Sequence, residues 1–179
     1  MQDADLFMEL AGIAGVFVGF GALIAVRSGG PTEPLEVAPM RGVVVSGVTV
    51  VIGALAPVTL GFFDLAEHQV WAVSTAVFLT IGLVLYAVIL RTPEYRAMAA
   101  GEVEVARMPS RRRWLVVLRD VVGNGLYMLA MALISIVILL GVAPDLEAGL
   151  YFALMVLELS GAAWMLLGLV FAQRLPERA

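Results

Sequence analysis

The sequence predicts an all-α fold: a polytopic membrane helix bundle with five transmembrane helices, in a single transmembrane domain covering residues 1–179. Three observations predict it. Of the 179 residues, 61% are hydrophobic and only 15% are charged, against about 25% charged in an ordinary soluble domain. Mean hydropathy is +0.98. The few charges cluster in short stretches between apolar runs, each long enough to cross roughly 30 Å of hydrocarbon, which takes about 20 residues at 1.5 Å per residue.

The first run, Leu6 to Val26, is broken only by Glu9. Asp3 and Asp5 precede it, whereas a cleaved signal peptide begins with basic residues and has a shorter apolar core, so a retained helix is expected. The second run spans Gly42 to Phe63, and the third Gln69 to Leu90. The fourth spans Val121 to Gly141, and the fifth Ala148 to Ala172. Between the first two, Arg27 to Arg41 holds Gly29, Gly30, Pro31, Pro34 and Pro39 and reads as an extended linker. Asp64 to His68 and Val142 to Glu147 read as short turns, which make successive helices antiparallel neighbours. Arg91 to Asp120 is the one sizeable loop; Thr92, Pro93 and Glu94 fit the start of a short helix reaching about Arg107.

Arginine placement predicts orientation. Two arginines fall between spans one and two (Arg27, Arg41) and seven between spans three and four. The last two, Arg174 and Arg178, follow span five, which accounts for all eleven basic residues. In a five-span chain these segments share one side, which the positive-inside rule makes cytoplasmic. The opposite side holds Asp3, Asp5, Asp64, Glu67, Asp145 and Glu147. The expected location is therefore a bacterial-type inner membrane, with the N-terminus outside and the C-terminus in the cytoplasm. Arg111, Arg112, Arg113 and Trp114 are expected to anchor loop 91–120 at the headgroups, where arginines meet anionic lipid and an indole sits at the interface. Three arginines without interleaved aromatic residues give no reason to expect a nucleic-acid partner.

Composition removes several chemistries. There is no cysteine and no lysine, and His68 is the lone histidine, which excludes thiol redox work, cysteine zinc sites, Schiff bases and a multi-histidine metal centre in one chain. No G-x-S-x-G, H-E-x-x-H or P-loop occurs. The sequence predicts neither an enzyme nor a cofactor.

Ionisable groups inside a span cost several kcal/mol unless paired, solvated or protonated, so they point to function. Glu158 lies about 15 Å into the fifth span by helical rise, with no arginine in any span. Tyr151, Met155, Gly161, Ala162 and Met165 share its helix face. Its two readings are an ion or proton site and a neutral acid binding one helix to another. In the second span Pro57 removes a helical hydrogen bond and frees the carbonyl of Gly53. By the same rise, Gly53 and Thr80 fall at a similar depth, so an ion or proton site of Glu158, Gly53 and Thr80 is expected at the midplane, with Glu9 on the outer approach.

Gly12, Gly15 and Gly19, near the direction of Glu9, read as a packing stripe facing the bundle. So do Ser46, Thr49, Gly53, Pro57 and Gly61 in span two, and Asn124, Met128, Met131 and Ser135 in span four. His68, with Asp64 and Glu67, is expected in a solvated turn, the alternative being a hard-cation or pH-sensing cluster. Function is expected to be that of a small proton- or cation-linked channel or transporter subunit. The alternative is a structural or accessory membrane subunit. Besides the lipid bilayer, the expected partner is a second copy in a homo-oligomer or a membrane partner subunit, because five short helices enclose little space alone.

Overall fold

The structure, a computed structural model, describes residues 4–27, 34–93, 96 and 110–172, without the side chains of residues 24–27, 34–39, 110–124 and 168–172. Among these residues the fold is all-α, with five long helices: α1 (Ala4–Arg27), α2 (Pro34–Leu60), α3 (Glu67–Leu90), α4 (Ser110–Leu139) and α5 (Glu147–Ala172). A 3-10 turn, Pro144–Leu146, leads into α5. Four stretches are long and apolar enough to cross a membrane: Ala4–Leu23, Met40–Leu60, Glu67–Leu90 and Pro144–Leu167. The apolar stretch described in α4, Gly125–Leu139, is shorter.

Two expected loops are partly helix. α2 begins at Pro34 rather than Gly42, because proline fits the first helical position, where no N–H is needed; Pro39, lacking an N–H, leaves one bond unmade inside the helix. α4 begins at Ser110, so Arg111, Arg112, Arg113 and Trp114 belong to the helix that continues into the fourth apolar run, and loop 91–120 loses its last third. Nothing between Ser110 and Val121 breaks a helix, so the helix runs without interruption from Ser110 into the fourth apolar run. The side chains of Arg111–Trp114 fall outside the described ones, as does most of the expected helix after Thr92. What is described there is one turn, in which Arg96 N donates to Thr92 O at 3.2 Å.

The helix ends at the opposite side are well determined chemically. α3 is capped at Ala66, the residue before its first turn, whose N–H donates to Gln69 Oε1 at 3.0 Å, a back-reaching cap made by the third helical residue. α4 closes in a Schellman turn: Gly141 N donates to Ile138 O at 3.1 Å and Val142 N to Val137 O at 3.2 Å. Gly141 has φ +62°, which an L side chain resists.

Neighbouring helices run antiparallel where glycines record their approach. A Cβ on Gly47 of α2 would stand 2.6 Å from Val18 Cγ2 and 3.2 Å from the Ala14 carbonyl of α1. On α2, Gly42 approaches Met165 of α5, and Gly53 approaches both Met155 of α5 and Phe78 of α3. α3 and α5 run in the same direction, since His68 meets Glu147 and Trp71 stacks near Tyr151. One end of the bundle therefore carries Asp5, Asp64, Glu67, Asp145 and Glu147, and the other Arg27, Arg41 and Arg91, as the alternation of charge predicts.

The core joins Phe7, Leu10 and Ala14 of α1 to Val50 and Ala54 of α2, Trp71 and Phe78 of α3, Met131 and Ile138 of α4, and Tyr151, Leu154 and Met155 of α5. Ser46, Thr49, Gly53 and Pro57 are buried as their stripe predicts, and so are Met131 and Ser135, whereas Gly61 and Met128 are exposed. Asn124 lies among the side chains outside the description. The α1 stripe is a correction: Gly12, Gly15 and Gly19 have open space where a Cβ would stand, and Glu9 is exposed. Phe7, Leu10 and Ala14 take the inward face instead, Phe7 filling the space beside Trp71 and Tyr151 and Ala14 lying against Gly47 of α2.

These contacts separate two glycine classes. Gly47→Ala is expected to destabilise the fold by about 1–3 kcal/mol through overpacking against α1. Gly12→Ala is expected to be neutral or to gain about 0.5–1 kcal/mol from reduced chain entropy. Denaturant titration of the two variants in detergent, followed by circular dichroism, checks the difference in sign.

Candidate functional site

Pro57 has no N–H for the carbonyl four residues back, and apolar surroundings leave a freed carbonyl at Gly53 unsatisfied unless protein supplies a donor. Tyr151 of α5 supplies it: its hydroxyl donates to Gly53 O at 2.7 Å and lies 3.4 Å from Ser74 O of α3. Gly53 admits this approach because it has no side chain; a Cβ there would stand 2.8 Å from Met155 Sδ and 2.9 Å from Phe78 Cδ2. The proline, glycine and tyrosine thus tie α2 to α5 beside α3.

The Tyr151 ring sits in an aromatic cluster with Phe7 at 5.9 Å and Trp71 at 5.8 Å, while Phe7 also meets Trp71 at 5.8 Å and Phe152 at 6.0 Å. Helices α1, α3 and α5 converge on it, with α2 joined through the hydroxyl. Polar atoms line the α3 side of this cluster. Trp71 Nε1, Ser74 Oγ and Thr75 Oγ1 are buried and make no hydrogen bond to protein. Other span hydroxyls behave differently: those of Thr49, Thr59, Ser135 and Ser160 each donate to the carbonyl four residues back in their own helix.

Glu158 forms a second tie. It is half-buried on α5, and the hydroxyl of Tyr127 on α4 donates a hydrogen bond to its Oε2. The Tyr127 ring packs against Gly161, one turn along, its atoms 3.5–3.6 Å from where a Cβ would be, which is ordinary contact distance. Tyr127, Met131, Ile134 and Ile138 recur at helical spacing and turn that face of α4 toward α5.

The four residues expected to form one ion or proton site do not converge. Gly53 O is taken by Tyr151 and Glu158 by Tyr127. Thr80 is exposed in a shallow, open groove on the outward side of α3 with Val73, Ala76, Val77 and Ile81. Glu9 is exposed on the outward side of α1. Equal depth placed Gly53, Thr80 and Glu158 at one level, but rotation about each helix axis separates them.

His68 also departs from expectation. It is the second residue of α3 rather than part of a solvated turn, and its Nδ1 lies 2.7 Å from Glu147 Oε1. The Glu147 side chain, expected in an exposed turn, is 1% accessible against 43% for that of His68. The turn residues Asp64 and Asp145 are exposed as expected. Tyr127 was not among the candidates, although a tyrosine within an apolar run carries a hydroxyl that needs a partner. Glu147 gave no signal, because an acid at a helix start has a sufficient local reason to be there.

The role assigned to Tyr151 is open to a double-mutant cycle. Tyr151→Phe is expected to cost about 1 kcal/mol by orphaning the Gly53 carbonyl. In a Pro57→Ala background, where residue 57 regains an N–H for that carbonyl, at least half of the cost should vanish. Equal costs in both backgrounds would show that the hydroxyl does not serve the proline break. Comparison of the chain with protein-family models, curated proteins and solved structures returns no match.

Proposed function

We propose that this chain is a small proton- or cation-linked channel or transporter subunit whose site is Glu158 held by Tyr127. The observation that carries the reading is a carboxyl group in the interior of an apolar helix, bonded to a neutral phenol. No arginine occurs between residues 121 and 141 or between 148 and 172 to fix it as an ion pair. A carboxyl so placed binds a proton or a cation reversibly, because neither state is locked by a permanent countercharge. The chemistry needed is binding and release of an ion, with no bond made or broken, and the reading is therefore of a non-enzymatic protein without a cofactor.

The same reading places the chain in a bacterial-type inner membrane with its arginine end cytoplasmic and its N-terminus outside. It includes a homo-oligomer, since a pore needs more helices than one bundle offers. The outward stripe of Gly12, Gly15 and Gly19 supports that part, small residues being what lets helices approach closely in lipid. A second reading, an accessory membrane subunit, is favoured by one feature: the Tyr127 to Glu158 bond joins α4 to α5 and serves as a structural tie whether or not ions move.

Reconstitution into liposomes tests the two. Proton or cation flux driven by a pH or salt gradient is expected in the wild type. Glu158→Gln should lower it by at least about tenfold while preserving folding and oligomer size, because the amide keeps the hydrogen bond but cannot exchange a proton. Absence of wild-type flux under both gradients, with a stoichiometric partner co-purifying, would replace this reading by the accessory one.

A further inference from the structure

The end of the bundle opposite the arginines holds a titratable pair that the Glu158 reading does not use. Glu147 is fully buried at the start of α5. Its Oε1 meets His68 Nδ1 at 2.7 Å, and its Oε2 finds no protein partner. The His68 ring lies over the α4 turn at Gly141: a Cβ there would stand 3.0 Å from Cε1 and 3.3 Å from both ring nitrogens. Only a glycine, at φ +62°, gives the imidazole this seat. One turn further along α3, the indole N–H of Trp71 is also buried without a partner.

A buried carboxylate facing a neutral imidazole would be an uncompensated charge, which apolar surroundings penalise heavily. Adding one proton removes that penalty in either of two ways, as imidazolium with carboxylate or as imidazole with carboxylic acid. In both forms the pair is neutral and shares one hydrogen bond. The half-exposed ring of His68 gives this proton a way to the aqueous phase, while Glu147 faces inward. The other charged groups around the pair do not substitute for either member. Asp5 and Glu9 on α1, Asp64 before α3, Glu67 on α3 and Asp145 before α5 are all exposed. The described side chains of α4, from Gly125 onward, include one titratable group, Tyr127, which is bonded to Glu158.

We propose that His68 and Glu147 form a second proton-binding site, which holds one proton between imidazole and carboxyl and exchanges it with the aqueous phase at the acidic end of the bundle. The site stands whether or not Glu158 conducts. Its proton moves from water to a ring nitrogen or carboxyl oxygen and returns by the same way, and no other reactant is needed.

Because His68 is the lone histidine, protein labelled with 15N-histidine and reconstituted in nanodiscs reports on this site through one imidazole, free of assignment. The expected result is that the ring 15N signals respond differently to pH in Glu147→Gln than in wild type, because the partner that shares the proton is gone. Identical titration curves in wild type and variant would overturn the proposal. A second measurement needs no substitution. In wild-type protein also carrying 13C-labelled glutamate side chains, one carboxyl carbon should show dipolar coupling to a His68 ring nitrogen and should respond at the same pH as the ring. No coupling, or separate titrations of ring and carboxyl, would equally overturn it. Neither readout uses flux, so loss of the transport reading would leave this result unaffected.

Discussion

Apolar surroundings offer no partner to a free peptide carbonyl, and this constraint organises the middle of the molecule. Pro57 opens one carbonyl, at Gly53, and the Tyr151 hydroxyl closes it from another helix. The absence of a side chain at Gly53 serves twice, exposing the carbonyl and letting Met155 and Phe78 come against α2. With its hydroxyl committed to α2, the Tyr151 ring is set at a fixed height. Phe7 and Trp71 pack around it and bring in α1 and α3.

Helix α5 is the common partner in the three polar ties made by Glu147, Tyr151 and Glu158. It places Glu147 against α3, Tyr151, about one turn on, against α2 and α3, and Glu158, about two turns further, against α4. Its smaller residues and methionines fill the intervals: Met155 lies against Gly53 of α2, and Gly161 lies under the Tyr127 ring of α4. The two carboxyls of this helix sit about 16 Å apart along its axis by helical rise, eleven residues from one to the other. Each is held by a single side chain that carries no permanent charge. An arginine in either partner position would have fixed the carboxyl in its ionised state. A phenol and an imidazole leave protonation free to change.

The polar residues of α3 have a different character. Hydroxyls in apolar helices ordinarily satisfy themselves on the preceding turn, as Thr49, Thr59, Ser135 and Ser160 do. Ser74 and Thr75 do not, and with Trp71 they leave a short row of buried polar atoms between the His68 pair and the Gly53 break. Each such atom carries a desolvation cost of about 1–3 kcal/mol, which the surrounding aromatic packing must offset.

The amino-acid order marks the five helical runs, though not the early starts of α2 and α4, together with the segregation of charge to the two ends, the open carbonyl at Gly53 and the unusual carboxyl at Glu158. Those features follow from local chemistry: the length of apolar runs, the missing N–H of Pro57, the placement of arginines. Which groups meet is set by packing between helices. The partners of Glu158, Glu147 and Gly53 lie 31, 79 and 98 residues away along the chain, a separation on which helical periodicity is silent. Packing also decides which face of each helix turns inward. In water, polarity marks the outer face. Here both faces are apolar, so the glycine stripe of α1 read equally well in either direction, and packing against Phe7, Leu10 and Ala14 alone set it outward.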